Sequence, residues 1–398
     1  MQDELKDFAK SWESLEYYVR EKDYQGFSKF DALNSPLLNS LSKNSEILRL
    51  IFTQIVNRVP LPLREAFKVT KTRNPKGIAN FIRGYSKMAA SGHPEFKNIV
   101  IDLSDWLISH DSQAKGQYSG PGRAWGYSFP WQSPAFFAPA YSPNCIVTAF
   151  CAEALLDAGV VTGQDRFFKA AQAASRFILE GLPILESTEE SLCIGYVQGP
   201  LKWKVININA VAAGFLSRLA LHENDKKLMA QAARMIEWVF TARKPGSYCW
   251  DYTWPLSQSG IGPDNYHTGG ILDGIFDYMS GSGNWKFKKE YLKAVSDYER
   301  SFFTPSGAPK WRRNRNYPHD IHGAAQGIIT FTRAGALEPE FHSVGRRIAL
   351  WTINEMQDRK TGRFYYQKWP FFTWKLDLMR WNNSWMFRAF SDLLTAAR

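Results

Sequence analysis

Helix-start signals recur along this chain at nearly even intervals. Asn74, Asn144, Asn207, Asn265, Asp320 and Asn382 each stand before an apolar-periodic stretch rich in small residues, as in "NINAVAAGFLSRLAL", "NYHTGGILDGIFDYM" and "DIHGAAQGIITFTR". A side-chain oxygen at such a position accepts one of the backbone N–H groups that the first helical turn leaves unpaired. Pro75 follows the first of them, where its missing N–H costs nothing. Successive caps lie 70, 63, 58, 55 and 62 residues apart. That period fits two helices with their loops and is too long for tetratricopeptide or ankyrin units.

A second helix is expected between each pair of caps. "EFKNIVIDLSDWLISH", "DRFFKAAQAASRFILEG", "DKKLMAQAARMIEWVFTAR", "WKFKKEYLKAVSDYERSFF" and "EFHSVGRRIALWTINEMQ" all carry apolar residues at helical spacing with a polar outer face. Small residues let helix axes approach closely, so the capped helices suit an inner ring and the charged ones an outer ring. The stretch "SEILRLIFTQIVNRV" is the expected sixth outer partner, packing beside the last capped helix. The chain is therefore read as all-α: an (α/α)6 toroid over residues 61–398, with an N-terminal helical extension over 1–60 packing on it. The rival is an open α-solenoid, but the connections before the capped helices are long and aromatic where solenoid turns are short and polar.

In such a ring the inner helices all point the same way. Their N-termini and the long loops share one mouth, where positive potential suits an anionic ligand. The net charge of +11 agrees with that. The basic residues cluster locally in "PKWRRNRNYPHD" rather than in a nucleic-acid-binding array, so no nucleic-acid partner is expected. Trp125, Tyr127, Trp131, Trp311 and Trp381 are candidates to stack on sugar faces. Arg123, Lys204, Arg312, Arg313, Arg315 and Arg380 are candidates to hold a carboxylate or phosphate.

Two residues after the caps stand Lys76, Ile146, Asn209, His267, His322 and Ser384, so adjacent repeats place His267 and His322 at equivalent points. Histidine is the usual acid and base near neutral pH. Asp264, Asp320 and Asp377 are the carboxylates that a two-acid hydrolysis would need, and Tyr266 is a candidate proton donor. No third ligand stands at a recognisable spacing from the histidines, so neither a metal nor another cofactor is expected. Cys145, Cys151, Cys193 and Cys249 form no CxxC pair and read as reduced, buried thiols. With a polar N-terminus and no apolar run expected to reach transmembrane length, the protein is read as cytoplasmic, with its oligomeric state open.

The strings "WGYSFPWQ", "NPKGIANF", "PHDIHGAAQGI" and "LMRWNNSWMFRAFSDLL", with "YQGFSKFDALNSPLL" near the N-terminus, resemble a group of prokaryotic exopolysaccharide-biosynthesis proteins over nearly the whole chain. The layout resembles, more distantly, the six-hairpin toroids that include unsaturated glucuronyl hydrolases and N-acylglucosamine 2-epimerases. The first resemblance implies cell-surface glycan assembly without a settled reaction, and the second implies the toroid. Toroids of the epimerase type use paired histidines on inner helices, which His267 and His322 match by repeat position only. The expected function is acid–base chemistry of epimerase or lyase type on an acidic, uronic-acid-type oligo- or polysaccharide, free or lipid-linked. The alternatives are a glycoside hydrolase with paired Asp residues and a non-catalytic glycan-binding assembly protein.

Overall fold

The computed structural model describes residues 2–199, 201–244 and 246–396; the last two positions of the expected toroid lie outside them. Its helices are α1 Gln2–Glu21, α2 Pro36–Ser42, α3 Glu46–Val56, α4 Leu61–Ala66, α5 Pro75–Ala90, α6 Lys97–Ser109, α7 Cys145–Thr162, α8 Asp165–Arg176, α9 Ile206–Glu223, α10 Lys226–Thr241, α11 Asn265–Ser282, α12 Lys288–Phe302, α13 Ile321–Gly335, α14 Glu340–Met356 and α15 Ser384–Ala396. The helix α5 packs on α7, and the contacts run on through α9, α11, α13 and α15, which packs back on α5. That last contact closes the circuit, giving the (α/α)6 toroid and excluding the open solenoid.

The outer helices α6, α8, α10, α12 and α14 follow their inner partners after short turns, such as residues 163–164 and 224–225. The long connections all lie at the opposite end, before the inner helices, and carry the short strands. One is the hairpin of Trp131–Gln132 and Phe137–Ala138; another is the sheet of His319–Asp320, Gln367–Lys368 and Thr373–Trp374. The sixth outer position differs from the expectation. It is filled by α1, which packs on α15 and α14, whereas α3 sits on α2 and the Trp131–Gln132 strand. The reason is the apolar stripe of α1: Phe8, Trp12 and Leu15 are buried, and the Trp12 indole donates to Ser391 Oγ at 2.8 Å.

Four of the inner starts are capped as Asn or Asp caps should be. Asn74 Oδ1 accepts from Lys76 N, Asn144 from Val147 N, Asp264 from His267 N and Asp320 from His322 N, all within 2.9–3.1 Å. Three expected caps do other work. Asn265 is already helical, with Asp264 as the true cap, and binds Tyr298 Oη and the Phe302 carbonyl across to α12. Asn207 lies inside α9, which starts after Val205 without a side-chain cap. Asn382 belongs to a wide π-helical turn, Met379–Asn383, and donates to the Phe364 and Leu376 carbonyls.

Small residues set the tightest crossing, between α9 and α11. A Cβ added at Gly274 would lie 2.3 Å from the Ala210 carbonyl oxygen, and one at Gly214 would lie 2.9 Å from Asp277 Cβ. Only glycine permits such backbone approach. The helix α7 is the most apolar of the ring. Its 18 residues have mean hydropathy 1.7, enough by composition to cross a bilayer, against the expectation that no run would reach that length; 78% of it is buried inside the toroid.

Midway down the ring every inner helix contributes an ionic group. Arg83 of α5 pairs with Glu153 and Asp157 of α7, and Arg218 of α9 also reaches Asp157. Arg333 of α13 lies 2.9 Å from Asp277 of α11 and 4.0 Å from Asp273, while Arg388 enters from α15 with its guanidinium against the Phe150 and Trp385 rings. The Arg83 and Arg218 guanidiniums hold the Asp157 carboxyl below its ordinary range despite burial. Removing one member strands its partners as uncompensated buried charges. Arg333→Met is therefore expected to cost about 3–5 kcal/mol by denaturant titration. Arg300→Ala, which removes an exposed guanidinium 3.8 Å from Asp297, should cost about 1 kcal/mol or less. Equal losses for the two would show that the ionic layer does not hold the ring.

Candidate active site

Above that layer, at the N-terminal end of the inner helices, the ring encloses a cavity of about 260 Å³. Its walls are aromatic: Phe30, Tyr127, Trp131, Tyr196, Trp203, Tyr252, Tyr266, Trp381 and Trp385 all face it. Its charged or titratable nitrogen groups are Lys76, His267, His322 and Arg380. Among the described residues no Asp or Glu lines it. The arrangement follows from the caps, because each Asp cap lies behind the side chain two or three residues further on.

His267 shows this directly. Asp264 accepts the His267 backbone N–H at 2.9 Å, and its other oxygen lies 2.7 Å from His267 Nδ1. One carboxylate thus caps α11 and orients the imidazole. A proton shared with Asp264 at Nδ1 leaves the Nε2 lone pair for the cavity, which is the arrangement of a general base. On the neighbouring helix His322 is buried among Tyr266, Trp381 and Trp385, with ring centroids 4.8, 4.3 and 4.2 Å away. Its Nδ1 has no hydrogen-bond partner among the described residues. Burial, then the cations Lys76, Lys29 and Arg380, hold it well below the usual imidazole range, so it is neutral at pH 7. The Tyr266 ring lies between the two imidazoles, with its centroid 4.2 Å from that of His267. Burial, Asp264 and Asp320 raise the Tyr266 phenol well above its ordinary range, so it stays protonated.

The other proposed acids are differently placed. Asp320 accepts from His322 N at 3.0 Å, Trp381 Nε1 at 2.9 Å and Gln367 Nε2 at 2.8 Å, so its carboxylate is committed to holding the wall. Asp377 lies outside the cavity, bonded to Tyr18 of α1 and to Asn383 Nδ2.

The candidate binding residues also divide. Tyr127, Trp131, Arg380 and Trp381 line the cavity. Arg380 is fixed by Ser28 Oγ and the Lys29 carbonyl, with its guanidinium 5.0 Å from the Tyr127 ring centre. Trp311 stands behind Tyr266 at 5.9 Å. Trp125 is fully buried and donates to the Leu107 carbonyl, so it offers no face to a sugar. Arg123 pairs with Asp111 at 2.8 Å and Lys204 with Glu186 at 2.6 Å, both away from the cavity. The arginine cluster is likewise outside it. Arg313 pairs with Asp297 of α12 at 2.6 Å, Arg315 is exposed, and Arg312 forms a single backbone bridge with Asp264. The repulsion among these arginines is relieved partly by an outer-helix acid and partly by solvent.

Two buried lysines stand where the arginine cluster does not reach: Lys76 lines the cavity and Lys29 lies against Trp381 of its wall. Lys76, on the first turn of α5, has its ammonium 4.2 Å from the Phe150 ring centre and 5.6 Å from that of Trp385, and that ammonium has no ion-pair or hydrogen-bond partner among the described residues. Burial, then Arg380 and Arg388, push its ammonium down to about 7. Lys29 sits among four rings, nearest Trp381 at 3.9 Å, and burial lowers it to about 8 against the pull of Asp320. The cue in the sequence was Lys76 at the position equivalent to His267 and His322. Lys29 carried no such cue.

A lysine lowered to about 7 in the fold but ordinary when unfolded makes stability depend on pH. Between about 7 and 10.5 the unfolded chain binds more protons at this site, so its contribution to stability rises with pH over that window. Lys76→Met removes the penalty for burying the charge. The variant should be more stable than wild type at pH 6–7, with the gap closing toward pH 10 in paired thermal melts. A gap independent of pH would show that Lys76 is not held as a destabilised cation.

No protein-family model matches the chain, and no curated protein matches it either. Its shape is similar to cellobiose 2-epimerase from Bacillus thermoamylovorans, with TM-score 0.62 and 11% identity over 81% of this chain and 87% of that one. It is similar to a family 76 α-mannanase from Bacteroides thetaiotaomicron, with TM-score 0.59 and 13% identity over 81% and 85%. It is also similar to a family 88 glycosyl hydrolase from Bacteroides vulgatus, with TM-score 0.56 and 9% identity over 81% and 92%. At these identities the likeness is one of fold, and at that level the resemblance to the six-hairpin toroids is borne out.

Proposed function

We propose that this protein is a carbohydrate-active enzyme that moves a proton at the carbon beside the carboxylate of an acidic sugar. The reaction would be of epimerase or lyase type, on a uronic-acid-type glycan handled in the cytoplasm during polysaccharide assembly or modification. The observation that carries this reading is the cavity lining: two histidines, a lysine and an arginine, with the carboxylates set behind them. Such a lining attracts an anion and spreads the negative charge that develops when a proton leaves the neighbouring carbon. His267, backed by Asp264, takes the proton. The Tyr266 hydroxyl, which burial keeps protonated, serves the opposite face of the sugar or the leaving oxygen, and the neutral His322 lies beside it on the adjoining wall. Lys76 and Arg380 hold the carboxylate, and Tyr127, Trp131 and Trp381 pack on the ring faces. The toroids of similar shape include a sugar 2-epimerase, which supports proton chemistry on a sugar in this architecture.

Hydrolysis by paired aspartates has less support from the geometry. It needs two carboxyls flanking one bond, and none of Asp264, Asp320 and Asp377 lines the cavity. Incubation with uronic-acid oligosaccharides in deuterated water tests the proposal. Solvent deuterium should enter at the carbon next to the carboxylate if the reaction is an epimerisation, or an unsaturated product should form if it is an elimination. His267→Gln should lower that rate by about 10²–10⁴-fold while leaving binding of the acidic glycan nearly intact. Lys76→Met should weaken acidic-glycan binding by about 1.5–3 kcal/mol, the range for a charge-assisted contact, and leave neutral glycans unaffected. A cleaved linkage with neither deuterium at carbon nor an unsaturated product would favour hydrolysis. Binding without any turnover would favour an assembly protein.

A further inference from the structure

The helix α3 is built inside out. Ile47, Ile51 and Ile55 recur every four residues on one stripe, and they are 69%, 44% and 45% exposed. On an ordinary surface helix that outward stripe is polar. Beside it α2 turns Leu37 and Leu41 outward, 47% and 60% exposed. A contiguous apolar face of this kind marks an interaction site. Exposed cations stand just beyond the ends of these short helices, Lys43 after α2, Arg58 two residues beyond α3 and Lys68 two residues beyond α4.

The position of this face gives it meaning. Arg49 of α3 donates to Gln132 at 2.8 Å and lies 4.5 Å from the exposed Phe137 ring centre. The hairpin it grips also carries Trp131, which lines the cavity. The apolar face therefore adjoins the mouth. A second apolar point projects from the same end of the ring. The turn between Gln367–Lys368 and Thr373–Trp374 presents Phe371, 98% exposed, at its tip.

We propose that the mouth end of the toroid docks on an anionic lipid bilayer, with the α2–α3 face and Phe371 entering the headgroup region. Charge complementarity selects this occupant. Exposed apolar side chains with Lys and Arg at their margins are the composition of an interfacial membrane contact. A second copy of a chain carrying +11 would be repelled, whereas an anionic surface attracts it. Docking in this way turns the cavity toward the headgroup layer, where a lipid-linked glycan is presented. It does not depend on which reaction the cavity performs.

The test uses the full chain in flotation with two kinds of vesicle, phosphatidylcholine alone and phosphatidylcholine mixed with phosphatidylglycerol. Wild type should float with the mixed vesicles, float poorly with the neutral ones, and detach in high salt. Ile47→Gln, Ile51→Gln and Ile55→Gln combined should lower partitioning by about tenfold or more with an unchanged melting temperature. Lys43→Gln and Arg58→Gln should each lower it by about fivefold. Phe371→Ser, at a tip where folding is not at stake, should reduce it independently of α3. The proposal is overturned if wild type does not bind the mixed vesicles, or if the α3 and Phe371 variants bind them as wild type does. It is equally overturned if the chain forms a dimer that the triple variant dissociates while vesicle binding is absent, which would assign the face to a second copy.

Discussion

The ionic layer midway down the ring is the constraint from which the rest follows. All six inner helices supply a charged group to it, and its pairs run between neighbouring helices: α5 to α7, α9 to α7, and α13 to α11. A buried Arg on one helix meets an Asp on the next at only one register, and any other leaves a charge unpaired in a low-dielectric interior. Sliding any one helix therefore penalises its neighbours as well. The layer also closes the cavity from below. Because carboxylates at this depth pair with arginines, the space above is left to lysine, arginine and histidine. The character of the candidate site thus depends on how the ring is held together.

At the mouth, single residues serve both helix and site. Asp264 and Asp320 each close the first turn of an inner helix, where their charge also favours the helix dipole. The same two carboxylates orient the His267 imidazole and the Trp381 indole. Replacing either would loosen the helix start and the wall together, so loss of activity in such a variant would not separate chemistry from architecture. His267 and Lys76 are cleaner probes, because neither side chain caps a helix.

The toroid was legible because its signals are local. An Asn or Asp cap and a run of small residues are chosen by the nearest few residues, and their spacing carries the repeat. Even so, Asn265 is displaced by one residue because Asp264 caps better, and Asn382 is drawn into a wide turn by the Phe364 and Leu376 carbonyls. The histidines were legible as equivalents within a repeat. The cations were not. Arg313 reads as a ligand group until Asp297 is brought to it by the fold, 16 residues back along the chain. Lys29 reads as a surface lysine until three aromatic rings from distant segments join its neighbour Phe30 around it. The identity of the sixth outer helix was hidden for a similar reason: α1 and α3 are both amphipathic, but only α1 buries its stripe against the ring.

That sixth position ties the beginning of the ring to its end. Trp12 bonds to Ser391 across 379 residues of chain, and at about 5–20 residues per second that separation corresponds to roughly 20–80 s of synthesis. Throughout that time Phe8, Trp12 and Leu15 have no final resting place, and the arc of inner helices lies open along its side. Arg380 and Trp381, which complete the cavity wall, arrive almost last. A nascent chain of this protein is therefore a long-lived holder of exposed apolar surface, and its dependence on molecular chaperones should be set by the timing of one C-terminal helix.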